Sequence, residues 1–371
     1  MLSSSRPKAP PAAHAHPSAG REIDAVFEAA GLVRSVARSL GRNRRGKAAG
    51  ATRRVRLDRA TPAEELSSAA PVPTTARNGV QVLRVASWDK PDSRKTDWLW
   101  HGFSTRIGGV SRAYCTEDAP GDLNLGFTPA DNKEAVAQNR RLLVEAVTGD
   151  PATPLVTLRQ IHSSIVALGV AEDAGRKSPR KADGLMTDEP GLLIGVQTAD
   201  CIPVLVADRK RRVVAAFHAG WRGTVKRIVE SGVGRMRLEF GSRPEDLIAA
   251  IGPGIGVCCY AVGEEVLSSF ESQFAYADEL FREVYDTDPV RTKYPMLFLT
   301  QRAPGHSKMG PSLHVDLVEA NRRQLLDAGL KLRSIQTTGG CTSCHRELFF
   351  SHRASHGHAG RMMSVIGIPP R

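Results

Sequence analysis

Three short apolar runs constrain this chain more than anything else in it: "LLIGVQ" (192–197), "IPVLVAD" (202–208) and "RVVAAF" (212–217). Each is too short for a helix, rich in branched side chains and punctuated at both ends, so each predicts a buried strand. The charged "DRKR" between the second and third predicts a hairpin turn. Around these runs the period changes. A helix is expected over 133–147, with Val136, Leu143 and Val147 as its stripe and Asp131 as its cap. Short strands follow from Leu155–Leu158 and "LIAAIG" (247–252), and a long helix from Thr224 to Phe240, with Val225, Ile228, Val229, Val233 and Met236 as its apolar residues. A last helix over 315–328 ends at Gly329. Strands and helices do not alternate as regular βαβ units, so the fold class is α+β with mixed β-sheets rather than a doubly wound sheet. "NRRLL" (139–143) and "NRRQLL" (321–326) recur inside two of the helices, a weak sign of a duplicated unit.

The first 80 residues read differently. Residues 1–60 hold 13 Lys/Arg against 4 Asp/Glu, so +9 of the net charge of +12 lies there. The remainder is near neutral, which argues against a nucleic-acid-binding face on the fold. Residues 1–20 are Pro- and Ala-rich and are expected to be disordered. "EIDAVFEAAGLVRSVARSLG" (22–41) has helical spacing and a basic face, and 42–80 read as a linker. Residues 1–80 are therefore taken as a basic extension, and 81–371 as one catalytic domain opening on "VQVLRVASW". No apolar run is long enough to span a membrane, and the N-terminus lacks the apolar core of a secretory signal. Its Arg-, Ser- and Ala-rich composition leaves organellar targeting as an alternative to a plain cytoplasmic location. Six cysteines without an export signal point to thiols kept reduced and available for metal or catalysis.

Several constellations carry chemistry. "CTSCH" (341–345) matches the pattern for covalent haem attachment, which would need both thiols and His345 as an axial ligand. The same residues also read as a plain structural or incidental thiol pair, or as a local metal or redox site, and no second C-x-x-C lies at zinc-ribbon spacing. "GPGIGVCCY" (252–260) reads as a tight glycine loop beside a site, since adjacent Cys258 and Cys259 do not readily bridge each other. "LRQIH" ends at His162, "QTADC" at Cys201, and "AAFHAGWRG" carries His218 at a strand end. Two histidines and a cysteine at strand ends form a three-ligand set of the catalytic-zinc kind, and a thiolate also suits copper(I). A buried cysteine with two satisfied histidines is the plain alternative, and a nucleophilic Cys201 activated by His218 the other. Asp200 precedes Cys201, Arg222 follows His218 at a helix start, Arg106 lies beside two glycines in "FSTRIGGVS", and "DLNLG" supplies Asn124. The two arginines are candidate anion clamps.

Taken together, "HGFSTRIGGVS", "LNLG", "RQIH", "KADGLMTDEPG", "TADCIPVLVAD", "HAGWRG", "IGPGIGVCCYAVGEEV" and "FFSHRASHGHAGRM" resemble the YfiH-like family over roughly residues 98–368. That family was once named multicopper polyphenol oxidoreductase or laccase and is now read as purine nucleoside phosphorylase with adenosine deaminase activity. The resemblance implies two β layers flanked by helices (α/β/β/α). It implies a shared metal on His162, Cys201 and His218, zinc first and copper second, with phosphate as co-substrate. Small purine nucleosides (adenosine, inosine, guanosine, methylthioadenosine) are the implied partners of a monomer or small homo-oligomer, with no nucleic acid and no membrane involved. Phosphate would be held by Arg106 and Arg222, with Asn124 beside them, and Asp200 or Asp183 would carry protons. Where the family usually shows Tyr-Arg-Arg, this chain has His352, Arg353 and Ala354. A four-copper laccase needs about ten histidine ligands, largely in H-x-H pairs. This chain has 11 histidines and two such pairs, one of them in the N-terminal extension, so the laccase reading fails. A metal-free Cys–His hydrolase of cell-wall precursors and a non-catalytic haem-binding protein are the remaining alternatives.

Overall fold

A computed structural model describes residues 61–62, 68–88, 98–115, 119–285 and 312–370. The expectations for 1–41 and for most of the linker lie outside these residues. Two six-stranded sheets form the body. The first runs β15 (Ile335–Thr337), β12 (Leu247–Ile251), β10 (Ile202–Asp208), β11 (Val213–Ala219), β8 (Gly184–Thr187) and β7 (Val166–Leu168). The second runs β2 (Thr74–Thr75), β3 (Gln81–Leu83), β4 (Trp100–Ser104), β16 (Met362–Ile368), β9 (Leu192–Thr198) and β6 (Leu155–Thr157). A small third sheet joins β1 (Thr61–Pro62), β13 (Phe281–Tyr285) and β14 (Ser312–Val315), and β5 (Ile107–Ser111) lies outside all three. Most pairs are antiparallel, with β6–β9, β7–β8, β12–β15 and β1–β13 parallel. Strand pairing thus begins upstream of Val80.

The two large sheets pack face to face. Leu205, Ala207, Val214 and Ala216 from the first meet Phe103, Ile194, Val196 and Ile366 from the second. The alternate residues of the same strands, Val204, Val206, Ala215 and Phe217, turn outward onto α3 (Ile228–Phe240) and α6 (Leu317–Asp327). Leu193, Met363 and Val365 turn outward from the second sheet onto α1 (Lys133–Thr148). The order is therefore α/β/β/α. It explains why the strands read as unbroken apolar runs: each side of each sheet is covered. The hairpin across "DRKR" is present, with β10 and β11 paired in register from Ile202↔Ala219 to Asp208↔Val213.

Local differences from the sequence reading have identifiable causes. The α1 cap is Asn132, not Asp131; the Asn132 side chain accepts from the N–H groups of Glu134 and Ala135. The long helix expected from Thr224 is two helices, α2 (Trp221–Val225) and α3, with Arg227 between them at φ 57°. The Gln324 side chain of α6 donates to the Thr224 carbonyl (2.8 Å), and Asn321 donates to its hydroxyl (3.1 Å). The Thr224 carbonyl, which a continuous helix would offer to the Ile228 N–H, is shared instead between the Arg227 N–H (2.9 Å) and this side chain 100 positions away. The repeated "NRR" segments share one feature: Asn139 and Asn321 are both fully buried and donate outside their own helices, Asn139 to the Asn124 carbonyl and Asn321 to the Thr224 hydroxyl of α2.

Two predictions follow from packing. A Cβ on Gly232 would lie 2.3 Å from the buried Phe217 ring, whereas one on Gly234 of the same helix meets nothing within 4 Å. Gly232→Ala should cost roughly 1–3 kcal/mol through overpacking despite better helix propensity. Gly234→Ala should gain up to about 1 kcal/mol. Urea midpoints of the two variants moving in the same direction would contradict this packing.

His101 is fully buried, accepts from the Val85 N–H through Nε2 (3.0 Å) and stacks edgewise on Trp88. Burial and the nearby positive charge of Arg84 hold its pKa at about 3, below the ordinary 6.5. The folded protein keeps this ring neutral while the unfolded chain takes up a proton below pH 6.5, so acid favours unfolding. Stability should fall by about 2 kcal/mol between pH 7 and pH 5 through this group alone. In a His101→Phe variant that increment should vanish from the pH dependence of chemical denaturation.

Candidate metal centre

The site forms where the chain passes between the sheets. After β6 the loop 158–162 leaves the second sheet, and Gln160 fastens it to β9 by a reciprocal pair with Gln197: its amide donates to the Gln197 carbonyl (2.7 Å) and its oxygen accepts the Gln197 N–H (2.7 Å). His162 then takes a left-handed backbone, φ 57°. Cys201 lies on the crossing from β9 to β10, directly after Asp200 at φ 88°. Both are conformations that a residue with a side chain adopts only when its surroundings impose them. His218 belongs to β11, which runs two residues beyond the apolar run that marks it in the sequence; it stands opposite Pro203 in register.

One carboxylate organises the three. Asp183, fully buried just before β8, accepts from the N–H groups of Ile161, His162 and Ser163, from the Ser163 hydroxyl and from Nδ1 of His218 (2.9 Å). Burial opposes its charge, but the bonds from His218 and Ser163 outweigh that and hold its pKa well below the usual carboxylate range. With Nδ1 engaged, His218 presents Nε2 outward. This is the carboxylate–histidine arrangement that fixes a metal-ligating imidazole.

The ligand atoms of His162, Cys201 and His218 all lie within 4.8 Å of one another. Cys201 Sγ is 3.9 Å from His162 Nε2, against roughly 3.6 Å for a nitrogen–sulfur edge of a tetrahedral zinc site. The imidazole rings sit edge to face at 4.9 Å. Burial resists ionisation of Cys201, yet the charge of His218 and the bond from His162 bring the thiol down to about 6. Burial likewise opposes charge on His218, but the Cys201 thiolate and Asp183 raise it to about 9. Two imidazoles and a readily ionised thiol, with a fourth direction open, fit a zinc or copper(I) ion of the catalytic kind. The set also fits a thiolate–imidazolium pair.

The three residues form one wall of a cavity of about 460 Å³, completed by Leu158, Gln160, Gln197, Thr198, Ala199, His352 and Arg361. A cleft of similar size beside Arg237 and Pro244 gathers no comparable set of donors. Other candidates lie elsewhere. Arg106 is consumed by Asp122, bonding both carboxylate oxygens (2.9 and 2.7 Å), and by the carbonyls of Tyr114 and Arg346; it does not line the cavity. Asn124 is fully buried outside the cavity and accepts the Arg361 N–H (2.8 Å), so it acts on the wall through Arg361. Asp200 uses one carboxylate oxygen on the Thr342 hydroxyl (2.7 Å) and the other on the Arg353 N–H (2.6 Å). Arg222 is exposed and stacks on Trp221 at 4.4 Å. Arg361, His352 and the glutamine pair went unrecognised in the sequence; the "GRM" end of the last resembling block was the only signal for Arg361. His345 of "CTSCH" is bonded to the Ser68 carbonyl through Nε2 (3.0 Å) and faces Glu347 through Nδ1 (3.4 Å), so both ring nitrogens are engaged.

Residues 100–369 match the family described as multi-copper polyphenol oxidoreductase laccase. The chain belongs to this family. It is 33% identical over 273 residues to a protein of Bacteroides thetaiotaomicron named purine nucleoside phosphorylase, covering 72% of this chain and 91% of that one. It is 34% identical to purine nucleoside phosphorylase YlmD of Geobacillus stearothermophilus, covering 72% and 89%. Among solved structures, the hypothetical protein YfiH of Bacillus licheniformis is similar with a TM-score of 0.62 at 30% identity, over 79% of this chain and 97% of that one. Among the described residues, no helix is long and apolar enough to cross a membrane.

The geometry predicts that support of the ligands matters as much as the ligands. Asp183→Asn should weaken zinc binding roughly 10–100-fold. A Cβ on Gly220 would stand 2.7 Å from Cys201 Sγ and 3.1 Å from His162 Cδ2, so Gly220→Ala should weaken it too. Competition with a chromophoric chelator, on variants whose circular dichroism is unchanged, reads both effects. Wild-type affinity in both variants would remove this cluster as a metal site.

Proposed function

We propose that this chain is a metal-dependent purine nucleoside phosphorylase that also deaminates adenosine. One observation carries the reading: three donors of catalytic-zinc type converge on the wall of a nucleoside-sized cavity that also holds an arginine. The names of the relatives support the phosphorylase half. His162, Cys201 and His218 would hold the ion, zinc first and copper second, and when bound it supplies Lewis-acid polarisation at that end of the cavity. Asp183 keeps His218 oriented and its Nδ1 proton in place.

In phosphorolysis a phosphate oxygen forms a bond to the ribose C1′ while the bond to the purine nitrogen breaks. The purine leaves with the electron pair and gains a proton, giving ribose 1-phosphate and free base. Arg361, in the cavity wall, replaces Arg106 as the principal anion partner, and Arg222, exposed in the first turn of α2, is the second cation. A guanidinium there positions phosphate and offsets its charge as the bond forms. Leu158 and Ala199 give the base an apolar wall, with the Gln197 side chain and His352 as polar contacts. In deamination water adds at C6 and ammonia leaves, converting adenosine to inosine. Asp200 has both oxygens bonded away from the cavity wall and His218 has both ring nitrogens committed, to the ion and to Asp183, so His352 is the nearer proton carrier. The domain serving this chemistry is taken to be 81–371, with a basic extension before it.

A second reading is favoured by the lowered Cys201 thiol beside the raised His218: a metal-free cysteine hydrolase acting on cell-wall precursors. Incubation with adenosine and inosine, with and without phosphate, and products followed by mass, decides between them. Ribose 1-phosphate and free base should appear only with phosphate, and inosine from adenosine without it. Cys201→Ala or chelation should lower both rates by at least about 100-fold. Arg361→Ala should depress phosphorolysis more than deamination. No consumption of either nucleoside sinks the purine assignment, and activity that survives chelation but not Cys201→Ala establishes the hydrolase chemistry.

A further inference from the structure

The two cysteine pairs, Cys258–Cys259 and Cys341–Cys344, stand 82 positions apart at their nearest members in the sequence and meet in space. Cys258 and Cys259 sit in the turn after β12, and Cys341 and Cys344 in the turn after β15. The two turns are sewn together: Gly254 and Cys341 form a parallel bridge, and the Thr342 N–H donates to the Gly254 carbonyl (3.0 Å). All four sulfurs lie within 4.8 Å of one another. Cys344 Sγ is 3.5 Å from Sγ of both Cys258 and Cys259. No disulfide joins any of them. The pair in "CTSC" thus faces a second pair from "VCCY", which carries no C-x-x-C spacing of its own.

We propose that these four cysteines bind a structural zinc ion, separate from the His162–Cys201–His218 cluster. Zinc–thiolate bonds of about 2.3 Å give a tetrahedron with sulfur–sulfur edges of roughly 3.8 Å, close to the 3.5 Å found for two of the edges. The surroundings are those of a ligand set. The Gly256 N–H donates to Cys341 Sγ (3.2 Å), the kind of backbone bond that stabilises a thiolate. A Cβ at Gly256 would stand 3.1 Å from Cys258 Sγ and from Cys341 Cβ, so the loop closes on the sulfurs only because it has none. Cys258 and Cys341 are buried with Ile255, while Cys259 and Cys344 are half-buried, which leaves a path for the ion. On binding, four thiols release four protons and give a closed tetrathiolate with no open position, which suits structure and not catalysis.

The site has a mechanical consequence. Thr342, inside the C-T-S-C turn, donates its hydroxyl to Asp200, and the Ile255 N–H donates to the Asp200 carbonyl (2.8 Å). Both clamped turns thus grip the residue before Cys201, in its left-handed conformation. The thiolate zinc is a positioning element for the neighbouring centre, but its existence rests on its own geometry and not on the activity proposed above.

The test uses full-length protein made in zinc-supplemented medium, with metal counted by mass spectrometry and its ligands read by X-ray absorption at the zinc edge. A His162→Ala/Cys201→Ala variant should keep one zinc per chain, bound by four sulfurs at about 2.3 Å. Cys344→Ser, made on that background, should drop to none. Wild-type protein stripped and reloaded with cobalt should show strong sulfur-to-metal charge-transfer bands, and these should persist in the His162→Ala/Cys201→Ala variant. Absence of zinc from that variant, a nitrogen- and oxygen-rich shell, copper in place of zinc, or an unreduced mass lighter by two hydrogens for a disulfide would each overturn the proposal. None of these readouts depends on nucleoside turnover, so a failed purine assignment leaves them standing.

Discussion

The buried carboxylate of Asp183 is the interaction on which the rest of the site depends. An ionised carboxylate withdrawn from water costs several kcal/mol unless donors replace its hydration. Here three consecutive N–H groups, a hydroxyl and an imidazole do so. The loop that supplies most of them leaves the second sheet after β6, whereas Asp183 and His218 belong to the first. One charge therefore sets the backbone of His162, the tautomer of His218 and the join between the two layers.

How much of this was legible in the sequence depends on distance along the chain. The strands β9, β10 and β11 were legible because covering both faces of both sheets keeps their central positions apolar, with polar residues only towards their ends. The hairpin was legible because its turn is four charged residues. The break between α2 and α3 was not, since no proline or glycine marks it; the cause is Gln324, on another helix. The three metal-type donors were visible as residues at strand ends, but their meeting was not, because no local spacing encodes it. The cysteine cluster stayed hidden for the same reason. "VCCY" and "CTSC" each looked incomplete, and only the parallel pairing of β12 with β15 adds them together.

The arginines show how composition misleads at a site. Arg106, beside two glycines, has the look of an anion clamp, yet Asp122 and two carbonyls occupy its guanidinium. Its neighbour Asn124 likewise faces inward and bonds the backbone of Arg361. The positive charge reaches the cavity instead from the last strand's approach, in a segment whose family pattern this chain alters at His352.

The crossing of the chain between layers has one more consequence, for assembly. His162 leaves one sheet, His218 lies within the other, and Cys201 sits on the connection between them. The centre is therefore assembled from segments that no local spacing joins, and it exists only once the ends of β6, β9 and β11 have all been placed, which makes its formation a non-local event of folding.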